Sequence, residues 1–156
     1  VEVLNRGDYN ISKNHLKNGL LNVAANTGMM GRWQVIGNNP KIICDTAHNK
    51  EGLSYVIEQL LSESFKKLHI VFGVVNDKDL TTILPLLPKS ALYYLCKPNV
   101  FRGLDAMELK STFNKFGFAS QAFNSVAEAY DEAIANAGSN DIIFIGGSTF
   151  VVAEII

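Results

Sequence analysis

The sequence predicts an α/β domain with a mostly parallel six-stranded sheet, one antiparallel strand, and helices on both faces. Three observations carry that expectation. After Ile42, short apolar runs alternate regularly with amphipathic helical stretches, which is the pattern of βαβ units. Before it, Val35-Ile36 and Ile42-Ile43-Cys44 flank the turn sequence Gly37-Asn38-Asn39-Pro40, so a hairpin adds the antiparallel strand. With 156 residues, 47% of them hydrophobic and 19% charged, the chain can bury one sizeable core and is not of disordered composition.

Each element has its own signal. Val1 to Asn10 has no clear pattern and reads as a linker or disordered start, with the domain running from residue 11 to 156. Ser12 can cap a helix from Lys13 to about Thr27, where Leu16, Leu20, Leu21, Val23 and Ala24 share a face and Gly28 provides a stop. A helix from about Glu51 to Phe65 turns Leu53, Val56, Ile57, Leu60 and Leu61 inward, and Lys66-Lys67 suits its negative end. Leu68 to Gly73 is the next strand. Leu80 to Leu87 contains Pro85, so a brief or kinked helix is expected. Ala91 to Cys96 is a strand, Asp105 caps a helix to about Phe116, and Phe118 to Phe123 is a weaker strand. Ser125, with Glu128 at the capping-box position, starts a helix to Asn136. The strongly apolar Ile142 to Ile145 leads through Gly146-Gly147-Ser148 to a closing helix.

Composition excludes several functions. A formal net charge of −1 gives no electrostatic case for nucleic acid or an anionic membrane. Cys44 and Cys96 sit inside apolar runs without metal-type spacing, which suits a reducing, cytoplasmic setting. No apolar run approaches the roughly 20 residues of a bilayer span, and no signal peptide is visible. Neither a Gly-x-x-x-x-Gly-Lys-Ser/Thr phosphate loop nor a Gly-x-Gly-x-x-Gly fingerprint occurs, and there is no Gly-x-Ser-x-Gly elbow.

Three strand ends carry chemistry: Asp45-Thr46-Ala47-His48-Asn49, Asn76-Asp77-Lys78-Asp79, and Gly146-Gly147-Ser148-Thr149. In a parallel sheet these ends share one edge, where α/β proteins bind ligands. Asp45 and Asn49 suit either a site or a turn and helix cap. Ser148 suits either an anion cradle or an N-cap. Asp77 and Asp79 read as a solvated turn and cap, so no metal ligands are assigned. Arg102, after the fourth strand, can reach an anion or stay on the surface.

With those residues in view, the chain resembles the C-terminal domain of folylpolyglutamate synthase / dihydrofolate synthase, within the Mur ligase superfamily. The carrying motifs are Gly31-Arg32, Asp45-Thr46-Ala47-His48-Asn49, Val71-Phe72-Gly73-Val74-Val75-Asn76-Asp77-Lys78-Asp79, and Gly147-Ser148 before Val151-Val152-Ala153-Glu154. They occur in family order. Lys50, Thr46 and Val74-Val75-Asn76 depart from the family's usual residues, and none of these changes removes a reactive group. The resemblance implies a Rossmann-like fold and an ATP-dependent ligase that adds L-glutamate to a folate or dihydropteroate through an acyl phosphate. It implies that the phosphate loop and most Mg2+ ligands belong to an N-terminal ATPase domain, the partner of this one. By position, Arg32 and Asp45 are similar to ATP-contacting residues, and His48 and Ser148 to glutamate-site residues. No catalytic base is assigned. Another Mur-type amino-acid ligase, or a free-standing non-catalytic α/β binding module, are the alternatives.

Overall fold

The structure is a computed structural model that describes all residues from Val1 to Ile156. It divides into two compact units, Val1–Met30 and Gly31–Ile156.

The first unit contains a 3-10 turn at Leu4–Arg6, helix α1 at Lys13–Leu21 and helix α2 at Val23–Thr27. Ser12 caps α1 by accepting the His15 N–H at 3.1 Å, and the Ser12 N–H in turn donates to His15 Nδ1. The expected single helix is broken at Asn22, whose Nδ2 donates to the Asn18 carbonyl at 2.9 Å. Asparagine competes with the helical ladder through such side-chain bonds. Gly28 closes α2 in the left-handed region with φ 66°. Neither helix buries a residue, so the apolar face of Leu16, Leu20 and Leu21 stays exposed.

The second unit holds strands β1 (Gln34–Asn38), β2 (Lys41–Cys44), β3 (Leu68–Phe72), β4 (Leu92–Cys96), β5 (Ser120–Phe123) and β6 (Ile142–Gly146). They form one six-stranded sheet in the order β1-β2-β6-β3-β4-β5. Only β1 and β2 pair antiparallel, with Asn38 opposite Lys41 at the turn, and every other pairing is parallel. Helices α3 (Lys50–Ser62), α4 (Ala106–Lys115), α5 (Val126–Asn136) and α6 (Thr149–Ala153) complete the unit.

Alternation along the strands splits the core in two. Ile43, Ile70, Phe72, Ile142 and Phe144 pack with α3 and α4 residues such as Leu53, Leu60, Leu109 and Phe113. Ile42, Cys44, Val71, Ile143 and Ile145 face the other way, against Val126, Ala129 and Ala133 of α5 and Val151 and Val152 of α6. Because both faces are covered, β3 and β6 are apolar at nearly every position.

Some boundaries differ from expectation. Helix α3 stops at Ser62, and Leu61 points out rather than in. The stretch around Pro85 forms only a 3-10 turn at Leu84–Leu86. Cys44 and Cys96 are free, and burial pushes their thiols up to about 11 and about 12.

Candidate functional site

The strand order determines what meets at the sheet edge. After β5 the chain returns through α5 and inserts β6 between β2 and β3. The loops after β2, β6, β3 and β4 therefore lie side by side at the carboxyl edge. There a cleft of about 420 Å³ is lined by His48, Val75, Asp77, Lys78, Arg102, Gly147, Ser148, Thr149 and Phe150. All three strand-end motifs contribute to it, as the parallel order predicts.

Each wall is shaped locally. Gly147 has φ 89°, and a Cβ on it would fall 2.6 Å from the Phe72 ring and 2.8 Å from the Gly73 carbonyl. Only glycine fits that close approach. Ser148 is buried, and its Oγ accepts the Phe150 N–H at 3.2 Å, so it caps the short α6. Its hydroxyl proton stays available to an acceptor in the cleft. His48 is exposed, with Nδ1 3.0 Å from the Thr46 carbonyl oxygen, which orients the ring. The loop after β3 is stitched to the loop after β4. Asn76 N–H donates to the Arg102 carbonyl at 2.9 Å, Leu104 N–H donates to Val74, and Val75 bridges Gly103. Arg102 reaches Asp77 Oδ2 at 3.3 Å and lies 5.4 Å from the centre of the Phe150 ring. Phe150 has no motif signal in the sequence beyond following Ser148 by two residues.

Asp79 turns away from this chemistry. Its Oδ1 accepts the Thr81 hydroxyl at 2.6 Å and the Thr81 N–H at 3.0 Å, and those two bonds lower its pKa. It is a turn and cap residue. The chain has no group of three or more His, Cys, Asp or Glu side chains placed to hold a metal.

Arg32 and Asp45 do not line the cleft; they form a neighbouring cluster. Asp45 is buried, with Oδ2 accepting the Trp33 N–H at 2.7 Å and Oδ1 the Ala47 N–H at 2.8 Å. Those bonds clamp the Gly31–Trp33 loop to the end of β2. The loop needs the clamp, because Gly31 has φ 68° and Trp33 has φ 43°. A left-handed non-glycine residue costs roughly 1–2 kcal/mol. Thr46 N–H also donates to the Gly31 carbonyl at 2.8 Å. The result presents Arg32 to solvent, with no ion-pair partner of its own. Sequence reading singled out both residues but not this dependence of one on the other.

A second polar cluster lies inside the sheet, away from the cleft. His69 on β3 is fully buried, its Nδ1 2.9 Å from the Tyr94 hydroxyl and its Nε2 3.4 Å from Asp141 Oδ2. A neutral ring accepting from Tyr94 and donating to Asp141 satisfies all three groups. Asp141 also accepts the N–H groups of Lys67 and Gly138. The sequence held no signal for this cluster, since a lone histidine within an apolar run does not reveal its cross-strand partners.

Residues 31–149 match the family model described as Mur ligase, glutamate ligase domain. The chain is 36% identical over 125 residues to a Haloferax volcanii protein named as a probable bifunctional folylpolyglutamate synthase/dihydropteroate synthase, covering 80% of this chain and 15% of that one. It is 28% identical over 148 residues to the dihydrofolate synthase/folylpolyglutamate synthase of Escherichia coli, covering 93% of this chain and 33% of that one. Solved structures agree. A bifunctional folylpolyglutamate synthase/dihydrofolate synthase with Mn, AMPPNP and L-glutamate bound superposes with a TM-score of 0.81 at 26% identity, over 99% of this chain and 36% of that one. The E. coli FolC protein in complex with DHPP and ADP gives 0.79 at 27% identity, over 94% of this chain and 34% of that one. The chain thus spans about a third or less of the length of these relatives. Its sheet order, strand-edge cleft and matched residues 31–149 make it a member of the Mur ligase family, in that family's glutamate ligase domain.

Proposed function

We propose that this chain is the glutamate-handling domain of an ATP-dependent ligase that adds L-glutamate to a folate or dihydropteroate. The observation that carries the reading is the cleft, which sets His48 and Ser148 beside two cationic side chains at the carboxyl edge of the sheet. In the proposed reaction the acceptor's carboxylate takes the γ-phosphoryl group of ATP. The glutamate amine then attacks the acyl phosphate, an amide bond forms and phosphate leaves.

This domain's part is positional. Ser148 donates its hydroxyl to a glutamate carboxylate and His48 orients the other end of the amino acid, so the amine faces the acceptor. Arg32 is suited to nucleotide phosphate charge, and Asp45 holds its loop and offers remaining lone pairs to ribose hydroxyls. The phosphate loop and most Mg2+ ligands belong to an N-terminal ATPase domain, the partner over which this domain closes to exclude water. Two buried free thiols suit a cytoplasmic enzyme. No helix is long and apolar enough to cross a membrane.

Ser148→Ala in the full-length enzyme is the direct test. A hydrogen bond to a charged group contributes about 1.5–3 kcal/mol. The Michaelis constant for glutamate should therefore rise about tenfold or more, with that for ATP unchanged. A lower melting temperature with an unaltered glutamate constant would reduce Ser148 to a helix cap.

A further inference from the structure

Glu154 closes the Val151-Val152-Ala153-Glu154 motif, yet it lines neither the cleft nor the Arg32 and Asp45 cluster. Its Oε1 accepts the Asn99 N–H at 2.7 Å, 55 residues away in the chain. That bond crosses the end of a strand. β6, which leads into α6, and β4, which leads into the loop of Asn99, are not neighbours, because β3 lies between them. The crossing is open because Gly73 follows β3. A Cβ there would fall 2.6 Å from the Cys96 carbonyl oxygen and 2.9 Å from a Val151 methyl carbon, so α6 and the end of β4 meet in the space a side chain would fill. The loop that Glu154 holds is itself stiff. Val100 N–H donates to the Pro98 carbonyl and Gly103 N–H to the Val100 carbonyl, both at 2.8 Å. Its remaining hydrogen bonds run to the loop after β3, and no second one joins it to α6 or the residues that follow.

We propose that Glu154 is a positioning residue that sets the width of the cleft between Ser148 and the loop after β4. Helix α6 spans only Thr149–Ala153, too short to keep its geometry unaided. Ser148 caps its start and Glu154 its end. Anchoring Glu154 on Asn99 therefore fixes where the Ser148 hydroxyl stands relative to the wall that carries Arg102. The Arg102 guanidinium, 5.4 Å from the Phe150 ring centre, is a second contact between the same two segments, and the weaker one, since Arg102 is half exposed. The proposal rests on the glutamate reading above and adds to it a residue that touches no substrate and acts through the two walls.

The test combines amide hydrogen exchange and steady-state kinetics on the full-length enzyme, comparing wild type with Glu154→Ala and Glu154→Gln. In Glu154→Ala the Asn99 N–H loses its acceptor, so its exchange, followed in a peptide spanning residues 97–104, should quicken about tenfold or more. KM for glutamate should rise roughly 3- to 30-fold, with KM for ATP unchanged because Arg32 and Asp45 lie outside the cleft. Glu154→Gln keeps a carbonyl acceptor and should restore most of both properties. Thermal melts should be alike for the three proteins, because Glu154 and Asn99 are exposed. Wild-type exchange or a wild-type KM for glutamate in Glu154→Ala overturns the proposal, as does a Glu154→Gln variant as impaired as the alanine one. If Ser148→Ala leaves KM for glutamate unaltered while Glu154→Ala still quickens exchange, the glutamate reading falls and the tie between α6 and the loop after β4 stands.

Discussion

Asp45 is the residue on which most local geometry depends. A carboxylate at the end of a strand reads in sequence as a ligand or a turn residue, and in the structure its two oxygens are committed to the Trp33 and Ala47 N–H groups. Its burial makes those bonds valuable. An unsatisfied buried donor costs about 1–3 kcal/mol, so Asp45→Ala should lower stability by about 3 kcal/mol in urea denaturation. The same variant should weaken ATP use in the full-length enzyme, because the loop carrying Arg32 loses its clamp. Arg32→Ala should weaken ATP use with little change in stability, since the side chain is exposed and unpaired. Equal stability of Asp45→Ala and wild type would remove the clamp from the account.

At the scale of elements, the start of α3 links helix capping to the cleft. Asn49 accepts the Gly52 N–H at 2.8 Å and stands next to His48. Losing such a cap costs about 1 kcal/mol, so Asn49→Ala should lower the midpoint of unfolding accordingly. Asn49→Asp keeps the acceptor and adds a charge that the helix dipole favours, so it should match wild type or exceed it by about 0.3–1 kcal/mol. Both variants can be ranked by thermal or urea unfolding. A destabilised Asn49→Asp would mean that repulsion from nearby Glu51 outweighs the dipole. The capping signals at Ser12, Asn49, Asp105, Ser125 and Ser148 all became caps, because each hydroxyl, amide or carboxylate meets its own backbone within three residues.

For the whole molecule, acid is the condition that should expose the inner polar cluster. Burial disfavours the His69 imidazolium and outweighs the Asp141 carboxylate, so its pKa lies below the ordinary 6.5. The unfolded chain takes up that proton first. Stability is therefore full above about pH 6.5 and falls as pH drops toward the folded value. Burial also penalises the Asp141 carboxylate, but bonds from the Gly138 N–H, His69 and the Lys67 N–H outweigh it and hold its pKa below 3.8. Its contribution is present above pH 3.8 and lost as pH falls through the lower folded value. Melting temperature against pH should thus decline in two windows. His69→Phe should be less stable at pH 7, should flatten the upper window and should shrink the lower one, because Asp141 loses one of the groups that lower its pKa. An upper window that persists in His69→Phe would assign it to another group.

The sequence by itself determined whatever depends on near neighbours. Apolar runs such as Ile42–Cys44 and Ile142–Ile145 could only be buried strands, and their regular alternation with helices required parallel pairing. From that followed one edge for the motifs at Asp45–Asn49, Asn76–Asp79 and Gly146–Thr149, and so the cleft with His48 and Ser148. Only the tertiary structure decided the rest. The insertion of β6 between β2 and β3 brings Ser148 beside His48, and no local pattern specifies strand order. The commitment of Asp45 to Trp33, 12 residues away, and of His69 to Asp141, 72 away, arises the same way. So does the exposure of Leu16 and Leu20, whose helical spacing marked a shared apolar face that the Val1–Met30 unit does not cover. Periodicity states which face is apolar; what meets that face is settled by contacts between segments distant in the chain.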